Sequence, residues 1–322
     1  MSPAPAPSSR PAYDSRRLRR IFDRRAAAFD AVAFLPREIA QRMCERLDYI
    51  KVTPAGVLDA GCGVGDDLPL LRARFPEAPV FGVDLSGEML ARAGERETVE
   101  TNWRRFLPAS LAKALGNRGP RVAQADFSEL PFAGGSFDFL WSNLALHWHS
   151  RPDLVFPEWQ RVLRVDGLLM FSTLGPDTLR ELRAAYAQAE AAVGGERADA
   201  HVVEFVDMHD LGDMLVESGF EIPVMDQEVL TVTYKSANSL LADVRGWGAY
   251  PFERDLLRPG PSRRLRRALD DALEARRRDD GTIPLTFEVI YGHAWKAVPR
   301  TTAEGHGIVR IEDIGKGRPR HR

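Results

Sequence analysis

The stretch of sequence that decides the fold is Val-Leu-Asp-Ala-Gly-Cys-Gly-Val-Gly, at residues 57–65. Its apolar start predicts a short buried strand that ends at Asp59. Glycines then stand at alternate positions, at Gly61, Gly63 and Gly65. Because glycine has no Cβ, such a loop turns sharply and lets a ligand approach the backbone. The stretch therefore predicts the first strand and loop of a ligand-binding α/β fold, with a purely structural turn as the alternative.

The spacing of the glycines, and the acids that follow them, narrow the class of ligand. The dinucleotide fingerprint is G-x-G-x-x-G and holds a pyrophosphate, whereas this loop has the pattern G-x-G-x-G. Asp66 and Asp67 come directly after the loop, where they would repel a pyrophosphate. A ligand with a cationic centre and an amino-acid tail fits this loop better than NAD.

Further apolar segments end in polar residues in the same way, with segments of helical spacing between them. The first ends at Asp84, where a carboxylate in nucleoside-binding α/β folds grips both ribose hydroxyls. Strands that alternate with helices indicate an α/β fold with a doubly wound, mostly parallel sheet. The predicted strands after the loop are residues 80–84, 121–126, 137–143 and 167–173.

Four motifs in this order resemble those of class I S-adenosylmethionine-dependent methyltransferases, over Thr53 to Thr173. They are DAGCGVG, GVDLSGEML, ADFSELPF and SFDFLWSNLALHW. The resemblance implies S-adenosylmethionine as cofactor, with Asn143 beside the transferred methyl group. It assigns the cofactor contacts, from the methionine end through the ribose to the adenine, to Asp59, Gly61, Gly63, Gly65, Asp84, Leu85, Asp126, Phe127 and Asn143.

A narrower resemblance covers nearly the whole chain. The segment FSTLGPDTLREL at residues 171–182 is similar to the one after the fifth strand in malonyl-acyl-carrier-protein methyltransferases of biotin synthesis. Residues 24–30, 244–249 and 285–292 resemble that family too, although Phe29 stands where the family commonly has Tyr. The resemblance implies methylation of the free carboxyl of malonyl-acyl-carrier protein or malonyl-CoA, early in biotin synthesis.

The chemistry of such a transfer explains why no catalytic triad is found among the motifs. A carboxylate is already a nucleophile at neutral pH, so no general base is required, and positioning with desolvation supplies the rate. We expect Asn143, His147 and Arg245 to position the acceptor. Arg245 is the first candidate for the counter-charge of the substrate carboxylate, with Arg180 and Arg183 as rivals.

The segment His147-Trp148-His149 also suggests a metal site, but we predict none. Two histidines at i and i+2 do not share a helix face, and no third ligand of matching spacing is nearby. A structural histidine at the rim of the crevice is the favoured interpretation. We interpret most of the tryptophans as core residues; Trp148 and Trp247 flank segments expected to face substrate.

The composition indicates the cellular location to be expected for the protein. The chain has 322 residues, two cysteines and a net charge of −2, with 44 basic and 46 acidic side chains. It has no apolar run long enough to span a membrane and no secretory signal, so we expect a cytoplasmic monomer without disulfides.

Positive charge is nevertheless clustered. Seven arginines lie between Arg10 and Arg25, and seven more between Arg263 and Arg278. Each cluster is either a solvated helix face or a surface for an acidic partner such as an acyl carrier protein. Nucleic acid is not expected, because exposed aromatic residues are not interleaved with these arginines.

The predicted organisation is a single catalytic domain with additions. Helices are predicted at residues 13–49 as a pair, within 97–120, at 176–193, at 210–218, and after Ser236 to Arg245; residues 228–234 and 286–297 are predicted as an edge pair of strands. The predicted regions are a disordered tail at 1–12, an N-terminal helical cover at 13–52, the S-adenosylmethionine-binding core at 53–174, a helical substrate-covering insertion with the last strands at 175–298, and a polar tail at 299–322.

Two alternatives to a malonyl methyltransferase remain open at this point. The chain also resembles the mitochondrial complex I assembly factor that hydroxylates an arginine, which would give an oxidoreductase or assembly role with a protein partner. A methyltransferase of the same fold that acts on a quinone or another small metabolite is the third possibility.

Overall fold

A computed structural model describes residues 14–101, 121–194, 204–247 and 262–298. Seven strands form one sheet in the order β3-β2-β1-β4-β5-β7-β6. The first five are parallel, while β7 runs antiparallel to both β5 and β6, which confirms the predicted mostly parallel sheet. The strands are β1 Val57–Ala60, β2 Val80–Asp84, β3 Val122–Gln124, β4 Phe137–Ser142, β5 Leu163–Leu174, β6 Phe220–Tyr234 and β7 Ile283–Lys296.

Helices cover both faces of the sheet. Neighbouring residues of β1 show this directly, because Val57 belongs to one buried apolar cluster and Leu58 to the other. Among the described residues, no helix is long and apolar enough to cross a membrane. The helices are α1 Ser15–Arg25, α2 Phe34–Leu47, α3 Asp67–Arg74, α4 Gly87–Thr101, α5 Pro152–Val162, α6 Arg180–Val193, α7 Met208–Glu217, α8 Ala237–Trp247 and α9 Arg263–Glu274, with short 3-10 helices at Ala26–Ala31 and Leu146–Trp148.

The predicted N-terminal cover is present as α1, a 3-10 helix and α2. Asp14 caps α1 by accepting a hydrogen bond from the backbone of Arg17 at 3.0 Å. The cover is fastened to the core by Asp23, whose carboxylate accepts from Ser86 Oγ at 2.6 Å. An edge-to-face contact between Phe22 and Trp148, 5.0 Å between ring centroids, adds an apolar attachment.

The helix predicted at residues 176–193 begins later, at Arg180. The preceding turn is instead held by Glu288 of β7, whose carboxylate accepts from Asp177 N at 2.7 Å and whose carbonyl accepts from Gly175 N at 2.9 Å. These long-range bonds compete with the helix for the backbone. The predicted stop is confirmed, because Gly194 ends α6 in a left-handed conformation with φ of 77°.

The last two strands pair as predicted, but only one of them is an edge strand. The pair completes one side of the sheet as predicted, with β7 between β5 and β6 and buried along almost its whole length, and with β6 at the edge. β6 is also longer than predicted and starts at Phe220. Since Leu174 of β5 pairs with Val289, Phe287 lies beyond the carboxyl end of β5.

The predicted helical insertion follows β5, although its helices do not all cover the crevice. α8 lies over the crevice and brings Trp247 to it, whereas α7 packs on the other face of the sheet through Leu211 and Leu215. Most of the helix predicted within 97–120, together with the terminal segments 1–12 and 299–322, lies outside the described residues.

Candidate functional site

A large cavity opens at the carboxyl ends of the parallel strands, and the space inside it, together with the open space at its mouth, is about 1230 Å³. The glycine loop forms its floor, the N-terminal cover its roof, and α8 with β7 one end. Open α/β sheets bind ligands in this position.

Each glycine of the loop has its own reason to lack a side chain. A Cβ on Gly61 would lie 2.4 Å from Ala145 Cβ, and one on Gly65 would lie 2.9 Å from Ala93 Cβ, so packing excludes both. Gly63 differs, because no atom lies within 4 Å of the place its Cβ would take, although its φ is 52°. Gly63 therefore leaves open space over the loop, where a ligand can contact the backbone.

Asp84 joins the end of β2 to this loop. One carboxylate oxygen accepts from Gly63 N at 2.9 Å and the other from Ser86 N at 2.8 Å. Each oxygen keeps a further acceptor position, and Asp84 and Leu85 both line the cavity. Burial raises the pKa of Asp84 to about 6, because a charged carboxylate is less well solvated there.

Asp59 and Asp67 lie on the cavity wall beside the loop. Asp59 is only 1% exposed, and neither of its carboxylate oxygens has a hydrogen-bond partner among the described residues. Asp67 accepts from Trp141 Nε1 at 2.8 Å and from Asn143 Nδ2 at 3.0 Å. Burial raises the pKa of both carboxyls, and the negative charge of Asp67 raises that of Asp59 further. An orphaned, buried carboxylate of this kind fits a cationic ligand group.

Asn143, at the end of β4, lines the cavity but is already engaged. Its Nδ2 donates to Pro36 O at 2.9 Å as well as to Asp67, and its Oδ1 accepts from Ser172 Oγ at 2.8 Å. Both amide hydrogens are therefore used. The side chain ties the cover to the carboxyl end of the sheet, and its contact with a methyl group stays a prediction.

The residues predicted at the adenine end also line the cavity. Asp126 accepts from Ser128 N at 3.0 Å and from Ser128 Oγ at 2.7 Å through one oxygen. The ring of Phe127 packs 6.0 Å from His149 and 5.8 Å from Trp159, which fixes its plane. This end of the cavity thus offers one carboxylate and one rigid aromatic wall.

His147 lines the cavity, whereas His149 forms a hydrogen bond with the local backbone. Burial lowers the pKa of His147 to about 3, so the ring is neutral at physiological pH, and its Nδ1 has no partner among the described residues. His149 Nδ1 accepts from Arg151 N at 3.1 Å. Within the described ranges, no group of three metal-binding side chains is present. His147 can therefore give an acceptor a neutral hydrogen bond but no positive charge.

The structure does not bring the predicted counter-charge into the cavity. Arg245 is exposed on α8 and is not part of the cavity wall. Arg180 pairs with Asp177 and Glu181, and Arg183 donates to the carbonyls of the 176–178 turn. In the described part of the chain, the cavity wall has five aspartates and no lysine or arginine.

Several wall residues were not among the predicted site residues. Two leucines, Leu144 and Leu179, line the cavity in the left-handed region, with φ of 46° and 60°. Non-glycine residues avoid this region, and such strain tends to occur at functional sites. No sequence signal marks either leucine. Phe22 and Phe29 of the N-terminal cover line the roof of the cavity.

Comparisons with known proteins agree with this geometry. A family model described as "Methyltransferase domain" matches residues 58–171. A malonyl-[acyl-carrier protein] O-methyltransferase from Laribacter hongkongensis is 45% identical over 89% of this chain and 91% of the relative. One with the same name from Halorhodospira halophila is 38% identical over 98% of this chain and 99% of the relative. The chain belongs to the malonyl-[acyl-carrier protein] O-methyltransferase family.

Solved structures of low sequence identity share the fold of this protein, and the similarity shows nothing beyond the fold. The crystal structure of the [4+2]-cyclase SpnF has a TM-score of 0.53 at 17% identity, covering 91% of this chain and 100% of the cyclase. A putative methyltransferase from Bacillus halodurans has a TM-score of 0.50 at 18% identity, covering 80% and 99%. One of these neighbours is named a cyclase, so the fold does not decide the reaction.

Proposed function

We propose that this protein is an S-adenosylmethionine-dependent methyltransferase that esterifies the free carboxyl of malonyl-acyl-carrier protein or malonyl-CoA, an early step of biotin synthesis. The observation that carries the proposal is the cavity itself. An unpartnered buried carboxylate, Asp59, stands beside the open backbone of Gly63 and the carboxylate of Asp84. This arrangement occurs in a chain that is 45% identical to a relative named for that reaction.

The wall residues fit the proposed cofactor, which supplies a methyl group activated on a sulfonium. Asp59 would pair with its cationic methionine end, and Gly63 leaves room for that end above the loop. Asp84 has free acceptor positions for the ribose hydroxyls. Asp126 would bind the adenine through a polar contact, and the ring of Phe127 would pack against it. These positions are the ones inferred from the sequence.

The protein then has two tasks, which are to position the acceptor carboxylate and to exclude water. The bound cofactor would supply an electrophilic methyl carbon, with sulfur taking the electron pair of the broken bond, and the protein would hold a malonyl carboxylate oxygen in line with that carbon. No proton moves, so no base is needed. Apolar side chains at the β7 end of the cavity, among them Leu179, Trp247 and Phe287, are nearly fully buried. They would strip water from the carboxylate and so favour attack.

The positive charge on the surface of α1 favours an acidic carrier protein as the molecule that carries the malonyl group. Leu18 and Phe22 on the inner side of α1 line the cavity. The outer side carries exposed arginines that form no ion pair with any described acid: Arg16, Arg19, Arg20 and Arg24. A carrier that docks on this side would place its acyl arm next to the cavity.

The second basic segment, on α9, is a weaker candidate for that role. Two of its arginines are ion-paired within the segment, Arg266 to Asp270 and Arg277 to Glu274. No residue of α9 lines the cavity. α1 is therefore the surface we propose for the carrier.

The decisive experiment is an assay of the purified protein with S-adenosylmethionine and malonyl thioesters. We expect consumption of the cofactor and a product methyl ester that dilute base hydrolyses. A methyl group transferred only to a quinone or another metabolite would instead favour the small-metabolite alternative. Hydroxylation of a peptide arginine, without methyl transfer, would favour the assembly-factor alternative. The cytoplasmic location and the monomeric state stay predictions, the latter open to measurement by light scattering.

A further inference from the structure

The inner face of α1 carries a cation as well as apolar side chains. Leu18, Phe22 and Arg25 are spaced four and three residues apart, and residues at this spacing share one face of an α-helix. Leu18 and Phe22 both line the cavity. Arg25 is half-buried and lies on the same face, at the carboxyl end of the helix. The N-terminal cover therefore holds a guanidinium on the face that closes the cavity.

The guanidinium of Arg25 is buried without a counter-charge among the described residues. Its Nη1 has no hydrogen-bond partner, and it is the only buried guanidinium nitrogen of the described ranges in that condition. Burial, together with the positive charge of Arg24, lowers the pKa of Arg25 to about 10, so the group is still charged at physiological pH. A buried cation without a partner is unfavourable, and an anionic ligand would relieve that cost.

Other arginines near the cavity are already engaged. Arg37 and Arg96 both bind the carboxylate of Asp66. Arg183 donates to backbone carbonyls. The aspartates of the cavity wall would repel a substrate carboxylate unless a cation accompanied it. Arg25 has the charge that this wall lacks.

We propose that Arg25 binds the free carboxylate of the malonyl group and so selects the anionic acceptor. This inference rests on the proposed function and names the residue that recognises its substrate. Arg25 is not itself a wall residue, so its side chain would turn towards the cavity as the carboxylate enters. A guanidinium suits this role, because its planar fork binds both oxygens of a carboxylate.

The side of α1 on which Arg25 lies favours the malonyl carboxylate over the carboxylate at the methionine end of the cofactor. Asp23 accepts from Ser86 Oγ at 2.6 Å, and Ser86 N in turn donates to Asp84. Asp23 therefore marks the side of the helix next to the proposed cofactor residues. Two residues along an α-helix are about 200° apart, so Arg25 lies on a different side from Asp23.

The contact should act on substrate affinity and not on the rate of methyl transfer. The carboxylate loses its negative charge when its oxygen is methylated, so an ion pair with Arg25 is strongest before transfer and weakest after it. An interaction that is no stronger in the transition state lowers KM without raising kcat. The neutral ester would also be released more readily than the substrate.

The test is a kinetic comparison of Arg25→Gln with the wild-type protein, using S-adenosylmethionine and malonyl-CoA. Malonyl-CoA removes any effect of carrier docking on α1. We expect the KM for malonyl-CoA to rise at least about tenfold while kcat stays nearly unchanged. Arg25→Lys should recover only part of the affinity. The matched control is Arg267→Gln, at an exposed residue of α9 outside the cavity, which should leave KM and kcat unchanged.

Two binding measurements assign the effect to the substrate carboxylate. Calorimetry should show that the wild-type protein binds malonyl-CoA more tightly than the methyl ester of malonyl-CoA, and that Arg25→Gln loses this preference. The affinity for S-adenosylhomocysteine should be the same in both proteins. Thermal melting checks folding, and Arg25→Gln should melt no lower than the wild type, because it removes a charge without a partner.

The outcomes separate this inference from the proposed function. Equal affinity of the wild-type protein for malonyl-CoA and its methyl ester overturns the inference without any variant. An unchanged KM in a folded Arg25→Gln protein overturns it too, and leaves Arg245 and Arg183 as the candidates. Weaker binding of S-adenosylhomocysteine with an unchanged KM would assign Arg25 to the cofactor carboxylate instead. If the wild-type protein methylates no malonyl thioester, the proposed function itself fails.

Discussion

Asp84 accepts a hydrogen bond from the backbone N–H of Gly63 at 2.9 Å, which ties the end of β2 to the glycine loop after β1. Two motifs that are twenty-one residues apart thereby form one surface. Because the loop has no side chain at Gly63, this bond also fixes the backbone that a cofactor would contact. We therefore expect Asp84 to act on cofactor affinity both directly and through the loop.

Replacing Asp84 with Ala should strongly weaken cofactor binding while the protein stays folded. The loss of hydrogen bonds to a charged group costs about 1.5–3 kcal/mol, which corresponds to roughly tenfold to a hundredfold or more in affinity. Calorimetry with S-adenosylmethionine measures the change, and thermal melting verifies folding. Unchanged affinity in a folded Asp84→Ala protein would show that the ribose lies elsewhere.

The raised pKa of Asp84 predicts a pH dependence of cofactor affinity. Burial places that pKa at about 6, so acidification from pH 7 to 5 protonates the carboxyl and removes an acceptor for ribose hydroxyls. Affinity should fall about tenfold per pH unit below the pKa. The contribution of Asp84 to folding runs the opposite way, because below pH about 6 the folded protein binds this proton more readily than the unfolded chain. Asp84→Asn should remove the Asp84-dependent part of the affinity profile.

Charge reversal on α1 should separate carrier docking from catalysis. Changing Arg16, Arg17, Arg19 and Arg20 to Glu should lower activity on malonyl-acyl-carrier protein, most strongly at low salt, and lower activity on malonyl-CoA less. The control changes three exposed arginines of α9, Arg263, Arg264 and Arg267, to Glu, because α9 lies away from the cavity wall. Equal losses on both substrates, insensitive to salt, would mean that α1 is only structural.

The role of Arg245 as counter-charge is a separate hypothesis. If it holds, Arg245→Ala raises the KM for malonyl thioester by one to three orders of magnitude, since removing an ionic partner costs roughly 2–5 kcal/mol. Cofactor affinity should not change, and Arg245→Lys should restore only part of the loss. The exposed position of Arg245 on α8 makes this the sharpest test of the sequence-based reasoning. A normal KM would direct the search to Arg183, which is half-buried beside the 176–178 turn.

The fold was predictable from sequence wherever the signal was local. The first strand, β1, and the glycines after it specify their own conformation, and apolar periodicity located every parallel strand. The start of α6 was not predictable, because Leu179 N bonds to Thr286 O at 2.7 Å, more than a hundred residues away. Such bonds hold a leucine at φ of 60°, against its own preference.

The candidate site likewise has residues that were predictable from the sequence and residues that were not. Most of the residues predicted to contact the cofactor line the cavity, because they lie at or just after the ends of parallel strands, whose carboxyl ends come together at one edge of the sheet. The acceptor residues were harder to predict. Whether an arginine points into a cavity or pairs on the surface depends on tertiary neighbours, as with Arg180 and its partners Asp177 and Glu181. Asn143 was placed correctly at the cavity, but its engagement with Pro36 could not be read from spacing.

Two substitutions of Asn143 give the last prediction. One removes the hydrogen bonds of its amide, and the other adds a negative charge at the same position. Asn143→Ala leaves Pro36 O without its donor and Asp67 with one donor fewer, which should cost about 1–3 kcal/mol of unfolding free energy if water does not replace them. Asn143→Asp is nearly the same size but sets a third carboxylate against Asp67. We expect it to weaken binding of malonyl-CoA more than Asn143→Ala does, because it adds negative charge beside the acceptor. Chemical unfolding and calorimetry measure the two effects, and the reverse order of malonyl-CoA affinities would contradict the placement of Asn143 beside the acceptor.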